Sequence, residues 1–208
     1  MRFALVMVTV LFLLTSVGRA QSETEYNQLG LMLGAEFIPA HSTTGSVPIR
    51  FSESVVYQLN FAHRLKGEKV QLWLEFPSAA APSHSVASVD WATPVSLATF
   101  YTTPSLRVNM RGEGGVSPWI LFGGGYALYE GSEELRSRRP NLSRYVNTGA
   151  LQFGAGVDLR TRLRLLRPIG LRGEVRDFFS LDAPDFTTSV RESHQHNVIV
   201  SGGFIVRF

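Results

Sequence analysis

The sequence predicts an all-β fold, an eight-stranded antiparallel up-and-down transmembrane β-barrel, on three observations. Apolar residues recur at every second position through most of the chain, the period of a strand with two unlike faces. Eight such segments follow one another, most of them longer than the roughly five or six residues of a soluble strand and close to the roughly 9–11 that a tilted strand needs to cross a bilayer. The connections between them alternate long and short without exception. An up-and-down arrangement therefore gathers the long connections at one end and the tight turns at the other.

The segments run over 28–38, 55–65, 70–77, 98–111, 117–129, 147–160, 169–181 and 197–208. In the first, Leu29, Leu31, Leu33, Ala35 and Phe37 alternate with Gly30, Met32, Gly34 and Glu36. In the third, Val70, Leu72, Leu74 and Phe76 alternate with Gln71, Trp73 and Glu75. The sixth is the cleanest: Leu151, Phe153, Ala155, Val157 and Leu159 share one face, and Gln152, Gly154, Gly156, Asp158 and Arg160 share the other. The last sets Val198, Val200, Gly202, Phe204, Val206 and Phe208 against Asn197, Ile199, Ser201, Gly203, Ile205 and Arg207. The long connections are 39–54, 78–97, 130–146 and 182–196, and the short ones 66–69, 112–116 and 161–168. Glycines at 67, 112, 114 and 115 supply the positive φ that tight turns demand. No segment shows the spacing of an amphipathic helix, so almost no helix is expected.

Residues 1–20 differ from the rest. Met1 and Arg2 precede an apolar run over 3–14, broken only by Thr9, and small residues stand at Gly18 and Ala20. This is the pattern of a cleaved secretory signal peptide, too short to span a membrane as a helix. The expected organisation is a signal peptide over 1–20 and one barrel domain over 21–208. The whole chain carries 20 Lys+Arg against 17 Asp+Glu. Removing Arg2 and Arg19 leaves the mature part nearly neutral, which argues against nucleic acid as a partner. The absence of cysteine excludes a disulfide framework, a thiolate metal site and a cysteine nucleophile. No cofactor or metal is expected, and no P-loop, GxSxG or HExxH motif occurs.

The terminal run Phe204-Ile205-Val206-Arg207-Phe208 resembles the carboxy-terminal signal by which the outer-membrane assembly machinery recognises barrels. Phe204, Val206 and Phe208 are its aromatic and apolar positions. The run Pro118-Trp119-Ile120-Leu121-Phe122-Gly123-Gly124-Gly125-Tyr126-Ala127 is similar to the glycine- and aromatic-rich central strand of small porin-like, eight-stranded outer-membrane proteins. The resemblance implies an exported, monomeric protein of a Gram-negative-type cell outer membrane. Its partners would be outer-membrane lipid, lipopolysaccharide and the barrel assembly machinery.

If the apolar faces meet lipid, the other faces fill the lumen, and eight strands leave a lumen only wide enough for side chains. The alternation sends Glu36, Gln58, Asn60, Arg64, Gln71, Glu75, Arg107, Asn109, Arg111, Gln152, Asp158, Arg160, Arg172, Glu174, Arg176, Ser201 and Arg207 inward. The basic residues are almost all arginine, whose planar fork serves two acceptors where space is tight. An ion-paired plug is expected from Glu36, Glu75, Arg107, Asp158, Arg160, Arg172, Glu174 and Arg176, with Glu174, between Arg172 and Arg176, as its hub. Asp177 falls on the lipid face, a costly place for charge away from an interface. A soluble lipocalin-like barrel would invert the faces but accounts for neither the alternating connections nor Phe208.

One cluster invites chemistry. Asp182, Asp185, Ser193, His194 and His196 share the last long connection, and outer-membrane lipid A deacylases resemble this in grouping histidine, serine and acid at the outer rim. Their strand-borne His-x-Ser order is absent here. Glu133-Glu134 and Arg136, Arg138, Arg139 and Arg144 crowd the preceding long connection, as solvated charge or as contacts to lipopolysaccharide phosphates. The expected role is structural or surface-interacting with a non-conducting lumen. The alternatives are a lipid hydrolase or a small diffusion pore.

Overall fold

The computed structural model describes residues 26–39, 49–88, 95–110, 115–138, 144–160, 168–182 and 194–208. The expected leader, Arg111, Asp185 and Ser193 lie outside them. In chain order the elements are β1 (Asn27–Phe37), β2 (Ile49–Phe51), β3 (Ser54–Lys66), β4 (Val70–Ser88), β5 (Val95–Thr102), β6 (Ser105–Met110), β7 (Val116–Gly131), α1 (Glu133–Arg138), β8 (Tyr145–Arg160), β9 (Ile169–Ser180) and β10 (Gln195–Arg207).

These ten strand segments form eight staves. β2 and β3 pair with β4 in a single register, from Ile49↔Ser88 to Tyr57↔Ala80, and are one stave opened at Ser52 and Glu53. β5 and β6 both pair with β4 and β7. They are one stave interrupted at Thr103 and Pro104, where proline brings no N–H to the ladder. Neighbouring staves are antiparallel, and β1 pairs with β10 from Gln28↔Arg207 to Phe37↔Val198, which closes the barrel. Asn27 N donates to Phe208 O at 2.8 Å and Phe208 N to Asn27 O at 3.0 Å, so the last residue takes part in that seam.

The connections sort as expected into a loop end and a turn end. At the turn end Gly67 holds φ +95°, and a Cβ there would lie 1.9 Å from Val70 O, so the turn requires glycine. Several staves exceed their expected length at the loop end. β4 continues to Ser88 rather than stopping at 77, so much of the expected 78–97 loop is strand. The one described helix, α1, is six residues long.

The faces decide between the two barrel types. Leu31, Ile120 and Phe204 stand 53%, 62% and 62% exposed on the outside, among many large apolar neighbours, while Glu75, Arg107 and Arg176 are 0% exposed inside. An apolar coat on every stave far exceeds the few hundred Å² that a soluble monomer shows and fits a lipid-facing wall.

Candidate functional site

The lumen is filled at two levels by different chemistry. In the turn-end half, Glu75 projects from β4 toward arginines on two other strands. Arg176 Nη2 donates to its Oε1 at 2.6 Å; Arg107 Nη1 donates to its Oε2, which Arg172 Nη1 approaches at 3.4 Å. Asp158 on β8 takes Arg172 through Nε at 2.7 Å and Nη2 at 3.0 Å, and also accepts from Trp119 Nε1 at 3.0 Å and Arg207 Nη2 at 3.2 Å. Glu174 is gripped by Arg176 at 2.7 and 2.8 Å and accepts from Gln58 Nε2 at 2.6 Å and Ser201 Oγ at 3.2 Å. The Gln28 side-chain oxygen receives Arg107 and Arg172 at 2.6 and 2.8 Å. The Trp119 ring lies under the guanidinium groups of Arg172, Arg107 and Arg176, 5.0–5.6 Å from its centroid, a desolvated cation–π stack. Gly156 makes room for that ring, since a Cβ there would lie 2.5 Å from Trp119 Cζ2.

The hub is Glu75 and not Glu174. Sequence adjacency puts Arg172 and Arg176 on either side of Glu174, but Arg172 sits directly opposite Asp158 on the neighbouring strand and turns to it. Its approach to Glu174 is only 4.0 Å. Glu75 reaches across the barrel to Arg172 and Arg176 and also meets Arg107 from the strand beside its own, so it touches all three arginines. Arg160 is half-buried at the turn end, opposite Gly170, and is not among the arginines on Glu75.

The loop-end half is apolar where a polar lumen was expected throughout. Val56, Leu97, Tyr101, Ala127, Tyr129, Phe178 and Ile199 are buried in one cluster, with Tyr101 stacked on Phe178 at 4.6 Å and Tyr129 set edge-on to Tyr101 at 6.2 Å. Tyr129 and Ser180 hydroxyls share a 2.5 Å bond, and Asn197 Nδ2 donates to Tyr129 at 3.0 Å. Glu36 belongs here, apart from the arginine plug to which it was assigned. Its partners are Tyr101 OH at 2.6 Å, Thr99 Oγ1 at 2.7 Å and His84 Nε2 at 2.9 Å. Glu36 lies near the loop end of β1, out of reach of the arginines that β6 and β9 send into the opposite half.

Sequence alternation alone missed His84. On β4 the inward residues are odd-numbered through Ala81; a bulge between Ala81 and His84 leaves Pro82 and Ser83 both outside and turns His84 and Val86 inward. Bulges re-aim side chains in this way.

Outside, Asp177 does face the lipid side without a register break. His196 Nδ1 lies 2.7 Å from its Oδ2, and the Phe179 ring stands 4.9 Å from His196 and 5.5 Å from His194. The acid bonded to His196 is therefore Asp177. Asp182 instead has its backbone N–H on Thr148 Oγ1 at 2.9 Å. Among the described residues no group of three or more His, Cys, Asp or Glu side chains is placed to hold a metal ion. Beyond the strands, Arg144 pairs with Glu130 at 2.7 Å. Of the terminal signal residues, Phe204 is exposed on the wall, and Val206 and Phe208 are half-buried.

No family model matches the chain, and no curated protein does. Solved structures match its shape. Neisserial surface protein A superimposes with TM-score 0.53 at 9% identity, covering 89% of this chain and 98% of its own. The outer membrane protein OprG of Pseudomonas aeruginosa does so with TM-score 0.52 at 11% identity, covering 90% and 98%. At such identities the likeness concerns the fold alone: this chain has the closed, eight-stranded antiparallel barrel of small outer-membrane proteins.

Proposed function

We propose that the protein is a plugged, non-conducting barrel of a Gram-negative-type outer membrane with a structural or surface-interaction role. The observation that carries this reading is the double filling of the lumen, by bonded arginines and carboxylates at one level and by packed tyrosine, phenylalanine and aliphatic side chains at the other. In this reading the leader over 1–20 is cleaved on export. Phe204, Val206 and Phe208 present the chain to the assembly machinery. The loop end faces outward, where Arg144 and its neighbours meet lipopolysaccharide. The protein works as a monomer surrounded by outer-membrane lipid. Expression with the native leader, followed by separation of the envelope, tests it. The protein is expected in the outer-membrane fraction, and recovery as a soluble periplasmic protein would refute the reading.

A second reading, a lipid hydrolase, is favoured by the outward Asp177–His196 pair, because a carboxylate on Nδ1 orients an imidazole for proton transfer at its other nitrogen. It predicts that overexpression removes acyl chains from lipid A and that His196→Ala abolishes the effect. Unaltered lipid A with the wild type counts against it.

A further inference from the structure

The plug does not use the Glu36–His84 pair, and three features make the pair unusual. Both side chains are fully buried in the apolar half of the lumen. A bulge is what delivers His84 there. And both of its ring nitrogens face acceptors: Nε2 lies 2.9 Å from Glu36 Oε2, and Nδ1 lies 3.0 Å from the main-chain oxygen of Ser52. Ser52 sits where the β2–β3 stave opens, and its backbone N–H and hydroxyl oxygen both bond the Ser85 backbone, at 2.8 Å each. His84 and Ser85 thus tie that opening to β4.

A carbonyl oxygen only accepts, so Nδ1 carries a hydrogen. The contact to Glu36 is then attractive only while one further proton lies between Nε2 and Oε2. Remove that proton and an imidazole lone pair faces a carboxylate oxygen in a buried, weakly screened setting. Among the described residues the groups around the pair supply no replacement charge: they are the Tyr101 hydroxyl and Thr99 Oγ1 from β5, both bonded to Glu36, the Ser52 carbonyl, and Tyr129 from β7, whose ring meets Tyr101 edge-on.

We propose that Glu36 and His84 form a proton-operated latch that fastens the open stave at Ser52 to the loop end of the barrel and releases it as pH rises. The latch acts on the loop end alone. The described arginine plug contains no histidine, so whether the lumen conducts is a separate matter.

Hydrogen exchange on the full folded chain in lipid nanodiscs between about pH 6 and 9, corrected for the chemical exchange rate, tests the latch. A peptide over 49–56 reports the latch and one over 169–176 serves as the control. The expected result is a rise of roughly tenfold or more in opening at 49–56 with no change in the control. His84→Gln, which cannot titrate, removes the pH response. No response at 49–56, an equal response in the control, or an unchanged response in His84→Gln overturns the latch. If that variant does not fold, the imidazole 15N shifts of His84 in the wild type decide. Loss of a ring proton in step with the opening supports it, and ring protonation unchanged across the range overturns it.

Discussion

The two halves of the lumen solve the same problem, filling a narrow barrel, by opposite means. The turn-end half uses charge: Glu75, Asp158 and Glu174 hold Arg107, Arg172 and Arg176 over the face of Trp119, and Asp158 also holds Arg207. The loop-end half uses shape, stacking Tyr101 on Phe178 and packing Val56, Leu97 and Ile199 around them, with Glu36 its one buried carboxylate among the described residues. A charge network fails abruptly when one member is lost, because its partners remain buried and uncompensated. A packed apolar cluster fails by degrees. The halves should therefore differ in how steeply stability falls with a single change.

The largest effect is expected from Glu75→Ala, which removes the carboxylate shared by three guanidinium groups and leaves buried Arg107 without its ion-pair partner. It should cost about 3–5 kcal/mol, measured by urea unfolding in lipid vesicles. Tyr101→Phe comes next. It removes one of three donors to Glu36 and leaves the ring stack intact, so a loss of about 1.5–3 kcal/mol is expected, the value of a hydrogen bond to a charged group. A loss as large as that of Glu75→Ala would erase the distinction between the halves. The smallest effect should come from Arg144→Ala beyond the strands. Its side chain is 46% exposed in the pair with Glu130, and such surface pairs contribute little to stability.

Much of this barrel was legible because strand periodicity is 2 and its two faces meet different media. The cleanest segments, over 28–38, 147–160 and 197–208, have inner faces rich in amides, glycines and charges that contrast with apolar outer ones, and their facing came through with ends within two residues of the strands. The contrast vanishes at the loop end, where inward Ala79, Ala81, Leu97 and Phe178 are as apolar as the wall and outward Ser78 and Ser83 are polar. There the end of β4, the apolar cluster and the place of Glu36 were all missed. His84 was hidden further, since a bulge reverses the facing of every residue beyond it. The hub was misplaced for a related reason: alternation ranks neighbours on one strand, while a narrow lumen brings Glu75 against arginines from the opposite wall. Asp177 appeared as a misfit because its partner, His196, belongs to the next strand and was assigned to a loop.

The central claim is that the lumen is filled, and conductance of the refolded wild-type protein in planar lipid bilayers tests it most directly. The proposed plug predicts a silent bilayer, because the described side chains of both layers are held by bonded charge or close packing. Regular, stepwise conductance from the wild type would contradict that prediction and favour a diffusion pore.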